Sequence, residues 1–387
     1  MTMHYEFPRN IRLDEVKRIV SDNPAFYIGE RDGYIVANYL VSGSATHPPV
    51  VDRQTAIMRE LRGLMFDHDG NVISRRFQKF FNFGEREDVT TLDLSKPHTI
   101  LEKLDGSMIT PVWINGYIRW CTKMGVTDVA SQAEAFVAEN SKYMEFAETL
   151  LPSYTPIFEW CSRSQRIVID YPEDQLVLVA IREVSNGLYV VKELVEAIAN
   201  QYDIPVVKAM APMSNLDDFI VELRKREDIE GVVIRFDDGH MVKIKTDAYI
   251  TLHRAKSLLE NERDVVECVL TDKVDDLLAI LPDTDKERLI KFRDDVISDV
   301  NNVVFKVNYF LKKLREFNVS RKQFSLENPE PEMGSMLRMF IFKHWDDDCT
   351  YQSVSEYALR NLGSNRSFEK LKSLFTTAKW KEVKVND

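Results

Sequence analysis

The reading of this chain starts at Ile100-Leu101-Glu102-Lys103-Leu104-Asp105-Gly106-Ser107-Met108-Ile109. Apolar runs flank the turn signal Asp105-Gly106, so the stretch reads as a β-hairpin with Lys103 at its mouth. A lysine placed there is held by the scaffold rather than by a free loop. Its amine is a nucleophile only when neutral, which requires desolvation or neighbouring cations. Alone, Lys-x-Asp-Gly fits a solvated lysine beside an ordinary turn as well as it fits a nucleophile.

Outward from this stretch, the pattern is one of short strands. Ala25–Glu30 and Tyr34–Val41 form a hairpin around Asp32-Gly33, after a short amphipathic helix within residues 11–23. Arg59–Asp67 reads as a strand entry. In Arg75–Glu85 cations interleave with aromatics, and on its own this segment reads as core phenylalanines with surface arginines; the other reading is a polyphosphate or nucleic-acid contact. Residues 116–123 form a strand and 131–150 one helix ended by Pro152. In the strand Pro156–Cys161, pleating puts Glu159 opposite Phe158 and Trp160, and a carboxylate in such a setting needs a cation or metal partner. Strand 176–181, helices 192–202 and 216–227 (the second capped by Asn215) and strands 229–236 and 241–246 follow. Lys243 and Lys245 share one strand face; they belong either to a water-facing edge or to the seat of a polyanion.

Beyond residue 250 the strand signals fade. Apolar residues from Leu289 to Phe317 recur every three or four positions, predicting a long bundle helix over 284–317. Helices over 333–345 and 354–362 follow, and the last stretch is basic, with Lys370, Lys372, Lys379 and Lys381 as a candidate RNA-backbone contact or a solvated helix face. The fold class is therefore α+β: an N-terminal domain of antiparallel sheets with flanking helices over 1–254, and an all-α C-terminal domain over 255–387.

Composition narrows the function. The 387 residues carry a formal net charge of −11, which argues against a general DNA-coating protein but leaves room for a local basic groove. No apolar run is long enough for a membrane span, Met1–Pro8 lacks the apolar core of a secretory signal, and the four cysteines form no Cys-x-x-Cys pair. A reducing cytoplasm is the expected location, with no membrane and no obligate protein partner.

In order, the chemistry-bearing residues are Arg62, Lys79, Lys103 with Asp105-Gly106, Glu159, Glu230-Gly231 and Lys243 with Lys245. This order resembles the covalent nucleotidyltransferases, the ATP-dependent ligases and capping enzymes. Within them the closer resemblance, over residues 55 to 260, is to the ATP-dependent RNA ligase 1 family of T-even bacteriophages. Glu60-Leu61-Arg62-Gly63, Lys79-Phe80-Phe81-Asn82, Arg166-Ile167-Val168 and Lys243-Ile244-Lys245-Thr246-Asp247-Ala248-Tyr249 carry it. Ala248 departs from the pattern, since the family can carry an aromatic there.

The resemblance implies that Lys103 becomes covalently adenylylated by ATP and passes AMP to an RNA 5′-phosphate, which a 3′-hydroxyl then attacks. Lys243 and Lys245 would stabilise the α-phosphate and depress the amine of Lys103 by repulsion. Glu159 and Glu230 would hold Mg²⁺ (or Mn²⁺) or the ribose, and Arg62 and Lys79 would orient the outer phosphates. The backbone at Glu102 would read adenine, with Asp105 and Gly106 also at the nucleotide, and Arg166 and Tyr249 would touch RNA. The implied substrate is a tRNA nicked in its anticodon loop, sealed in the host cytoplasm if the chain is phage-encoded. Two alternatives stay open: a DNA ligase or capping-type enzyme, which would append a β-barrel where this chain reads as helical, and a non-catalytic RNA-binding module, which would have lost some charged site residues.

Overall fold

The computed structural model describes residues 7–40, 46–85, 92–164, 166–211, 215–326 and 334–380. Expectations for Met1–Glu6, for the end of the strand at Val41 and for Lys381 lie outside them. The fold is α+β, in two compact units within residues 1–250 and 251–384. The division falls inside the helix Asp247–Leu259, as does the expected boundary at 254.

The first unit holds three sheets. Strands Phe26–Arg31, Tyr34–Tyr39, Arg62–Phe66 and Val72–Ser74 form the first, in that order. The second has the order Gln175–Glu183, Tyr154–Cys161, Ser107–Ile114, Tyr117–Cys121. In the third the order is Ala209–Met210, His98–Lys103, Gly231–Phe236, Met241–Lys245, Phe81–Asn82. Alternation along each strand assigns one face to a core. Phe158, Trp160, Leu176 and Leu178 pack against helices Asp128–Ala138, Lys142–Leu150 and Lys192–Gln201. Ile100, Val232, Ile234 and Ile244 pack against Phe219, Ile220 and Leu223 of helix Leu216–Arg224. The opposite faces carry Glu159 on the second sheet and Lys103, Lys243 and Lys245 on the third.

The expected hairpin at Asp105-Gly106 is not one. His98–Lys103 pairs with Gly231–Phe236, whereas Ser107–Ile114 pairs with Tyr154–Cys161, so the chain crosses from one sheet to another at this turn. Gly106 is required by close approach, because a Cβ there would overlap the backbone carbonyl of Trp160. Residues 131–150 also differ from expectation. They form two helices: Thr127 caps the first, and Asn140 turns its side-chain amide back to the Phe136 carbonyl at 2.7 Å, competing with the helical ladder before Ser141 begins the second.

Arg75 and Arg76 correct a third expectation, for they are among the most deeply buried side chains of the protein. Glu60, at the end of helix Arg53–Glu60, accepts from Arg75 Nη2 at 2.9 Å and from Arg182 Nη2 at 2.7 Å. Burial alone would raise the Glu60 carboxyl; Arg182 and Arg75 overcome it and hold it below the usual range. The Arg182 guanidinium also lies 4.8 Å from the Phe7 ring and 4.9 Å from that of Tyr189. This triad ties together the helix leading to Arg62, the segment leading to Lys79, and the second sheet.

The second unit is helical, around one core. Helix Asp283–Glu316 buries Leu289, Phe292, Val296, Val300, Val307 and Leu311, close to the expected stripe. Asp299 accepts from Thr376 Oγ1 and from the backbone N–H groups of Thr377 and Ala378 at 2.8–2.9 Å, and the Trp380 indole donates to the Leu259 carbonyl at 2.6 Å. The segment Thr376–Trp380 is thus pinned to the core. No described helix is long and apolar enough to cross a membrane.

Glu60→Ala leaves two buried guanidiniums without an anion. It should cost about 3–5 kcal/mol, whereas Glu15→Ala at the half-exposed Arg53 pair should cost about 1 kcal/mol or less. Urea midpoints at unchanged slope measure both.

Candidate active site

Register builds the centre of the site. Gly231 lies directly between Lys103 on one neighbouring strand and Lys245 on the other. Its predecessor Glu230, 3% exposed, therefore reaches both ammonium groups: Oε2 to Lys103 Nζ at 2.7 Å and Oε1 to Lys245 Nζ at 2.9 Å. Lys243 follows two residues back along the same face, opposite Val233. The lysine pair is thus not an edge facing water, since Met241–Lys245 runs between two other strands.

These side chains open on a cavity of about 860 Å³. Arg62, Lys79, Lys103, Lys123, Arg235, Lys243 and Lys245 line it, against the carboxylates of Glu102 and Glu159. Beside them Leu104, Ile167, Val179 and Val207 make an apolar wall. In a chain of net charge −11, such a concentration of cations is a polyanion site, with room for a flat apolar group beside it.

Crowding shifts the groups. Burial, then Lys79, Arg62, Lys103 and Lys245, push the Lys243 ammonium down to about 7. Burial raises the Glu159 carboxyl to about 7 against the pull of Lys103, with Glu230 adding repulsion. Lys243 is thus pushed down chiefly by burial, with its cationic neighbours adding to it, while Lys103 is paired with the carboxylate of Glu230.

Arg62 and Lys79 meet at Tyr39. The Lys79 ammonium is 5.0 Å from its ring and that of Lys123 5.5 Å, and the charge of Arg62 acts on its hydroxyl. Burial opposes ionisation of Tyr39, and Arg62, Lys79 and Lys123 outweigh it, so the phenol lies below its ordinary value. Gly63, at φ +78°, lets the Arg62 strand run against the backbone of Lys123. Tyr39 and Lys123 are absent from the sequence-predicted site. Tyr39 ends the strand Tyr34–Tyr39 and Lys123 lies in the turn after Tyr117–Cys121, and nothing in their spacing marks them.

Other expected residues sit elsewhere or act differently. The Asp105 carboxylate is consumed inside the protein: it accepts the N–H groups of Val168 and Ile169 at 2.7 Å and the Tyr249 hydroxyl at 2.7 Å. Its own N–H donates to Tyr171. Asp105 therefore positions the turn after Lys103 instead of meeting a nucleotide, while Gly106 does line the cavity. Tyr249, expected at RNA, is buried against Asp105, with Lys245 4.6 Å from its ring. The Glu102 N–H donates to the Lys208 carbonyl at 2.9 Å, while Glu102 itself lines the cavity. Arg166 is tied locally, to Val168 O and Asp170. In the second unit Lys370 and Lys379 are exposed, but Lys372 pairs with Glu369 at 2.8 Å and Glu262 at 3.7 Å.

Among the described residues no three His, Cys, Asp or Glu groups converge as a metal cage. Both Glu230 oxygens face ammonium groups, so its carboxylate is neutralised by Lys103 and Lys245. Glu159 fits a divalent cation: it is a desolvated carboxylate on the cavity, and such an ion would relieve its burial.

A lysine at the end of a strand, in a cavity of cations, makes a site suited to a polyphosphate. Residues 60–249 match the model of the RNA ligase family of the phage T4 ligase 1 type. Over this stretch the chain is similar to that family, and it is a ligase. A protein of Thermovibrio ammonificans, provisionally described as an RNA ligase, is 27% identical over 97% of this chain and 99% of its own length. RNA ligase 1 of bacteriophage TS2126 is 27% identical over 58% of each chain. The solved structure of an archaeal ATP-dependent RNA ligase covers 63% of each chain at 17% identity, with a TM-score of 0.43.

Since Lys243 loses a positive charge and Glu159 gains a negative one as pH rises through about 7, the metal-free site becomes less cationic by both routes. Calorimetric affinity for sulfate, whose own charge is constant here, should fall between about pH 6 and 8. A Lys243→Arg, Glu159→Gln double variant should show a flat profile.

Proposed function

We propose that this chain is an ATP-dependent RNA ligase that joins 5′-phosphate and 3′-hydroxyl ends through lysyl-AMP and RNA-adenylate intermediates. The observation that carries the reading is the Lys103–Glu230–Lys245 arrangement at the floor of the cationic cavity. With ATP in place, Glu230 is suited to take the proton from Lys103, and its contact with Lys245 keeps that carboxylate oriented. The neutral Lys103 amine attacks the α-phosphorus; a P–N bond forms, the bond to the β-phosphate oxygen breaks, and pyrophosphate leaves. Lys243 and Lys245 face the developing charge on the α-phosphate. Arg62, Lys79 and Lys123, gathered at Tyr39, form the seat for the outer phosphates. The apolar wall receives adenine. Glu159 would hold Mg²⁺ or Mn²⁺ together with phosphate oxygens, and the ion would supply neutralisation of the triphosphate.

AMP then passes to the 5′-phosphate of RNA with release of Lys103, and a 3′-hydroxyl displaces AMP to make the phosphodiester. By family resemblance the substrate is a tRNA nicked in its anticodon loop, and the reaction belongs to the cytoplasm. The helical unit selects the RNA and does no chemistry, with Lys370 and Lys379 exposed for contact. Its helical character speaks against the DNA ligase and capping alternatives, and the intact set of charged residues speaks against a non-catalytic module.

Lys103→Ala should abolish acid-labile labelling by α-labelled ATP while still sealing RNA supplied already 5′-adenylylated. A labelled Lys103→Ala protein would overturn the assignment. A wild type labelled by GTP in preference to ATP would favour the capping reading.

A further inference from the structure

The helix Asp283–Glu316 turns one stripe into the core of its unit and leaves aromatic rings on the other side. Phe305 is 69% exposed and Tyr309 49% exposed. One turn apart, their rings are near-parallel, 21° between planes with centroids 6.5 Å apart. The Lys313 ammonium lies 5.4 Å from the Tyr309 ring. Leaving such rings in water forgoes the stabilisation that full burial would supply, and neither ring belongs to the core of this unit.

The charge around the pair points to what covers it. From Val300 to Arg315 the chain has no Asp or Glu but has Lys306, Lys312, Lys313 and Arg315, within a protein of net charge −11. Arg315 is engaged by Asp348 at 3.0 Å, and Lys312 stands 3.9 Å from Glu316. Among the described residues, Lys306 and Lys313 form no ion pair. An apolar protein partner would be met by rings alone; flat rings with ammonium groups beside them match a single-stranded polynucleotide, whose bases stack while its phosphates meet cations.

We infer that Phe305 and Tyr309, flanked by Lys306, Lys312 and Lys313, form a platform on which unpaired bases of the RNA substrate stack. This rests on the RNA ligase reading and places single-strand contact on the long helix, apart from the basic end of the chain.

The test uses the full-length protein and a single-stranded RNA oligonucleotide with a 5′-hydroxyl and a 3′-phosphate, which cannot be sealed. A Phe305→Ala, Tyr309→Ala double variant should lose at least about tenfold in affinity by fluorescence anisotropy. Its lysyl-AMP formation from ATP and its melting temperature should be unchanged. Phe305→Tyr with Tyr309→Phe should bind as the wild type does, because stacking needs only the ring. Lys306→Ala with Lys313→Ala should lower the slope of log affinity against log salt by about 1.4. Wild-type RNA affinity in the double alanine variant, with lysyl-AMP formation intact, would overturn the platform and leave the ligase reading standing. Unchanged affinity with a shift in sedimentation would also overturn it, assigning the face to a second copy of the chain. Ring-dependent RNA binding by a wild type that forms no lysyl-AMP would support the platform and count against the ligase reading.

Discussion

A single buried carboxylate holds the centre of this protein together. Glu230 sits at the start of a strand whose neighbours end in Lys103 and Lys245, and it meets both at hydrogen-bond distance. Without it, two ammonium groups would stand beside Lys243 in a partly dehydrated cavity and lose the carboxylate that pairs with them directly. Its position follows from strand register: a slip of one residue would turn the lysines to the face that packs on Phe219 and Leu223.

Elsewhere, buried carboxylates are saturated. Glu60 has two guanidiniums; Asp105 has two backbone N–H groups and a tyrosine hydroxyl; Asp299 has two N–H groups and a threonine hydroxyl. Each ties segments distant in sequence, and Glu60 and Asp105 hold the segments that carry Arg62, Lys79 and Lys103. Glu159 is the contrast. Burial drives it up to about 7, and its compensation is incomplete. Structural carboxylates are paid for within the protein, whereas Glu159 stays under-compensated on the cavity beside Lys103. Lys243, pushed down to about 7, is the complementary case among the cations.

Local patterns were legible wherever they report on a residue's own neighbours. The turn at Asp32-Gly33, the cap at Asn215 and the alternation that turns Glu159 from Phe158 and Trp160 stand as read, and so does the apolar stripe of Asp283–Glu316 except its last expected member, Phe317, which is exposed beyond the helix end. Where residues carry opposite tendencies, the sequence misled. Arg75 and Arg76 read as surface charge, yet partners on other elements make their burial tolerable; for Arg75 the partner is Glu60. Tyr249 and Asp105 read as ligand contacts, and each turned out to satisfy the other. Lys372 read as a free cation and is paired twice.

By itself the sequence determined the class of fold, the order of the charged motifs along the chain and the identity of the lysine at their centre, because periodicity and motif order are properties of the linear chain. Tertiary structure decided that Lys103 ends a strand of one sheet while the next strand belongs to another. It also decided that Glu230 is shared by two lysines and that Tyr39 and Lys123 join the site. Those outcomes depend on which strands pair and in what register, which is set by burying one face of each sheet against helices far away in the sequence.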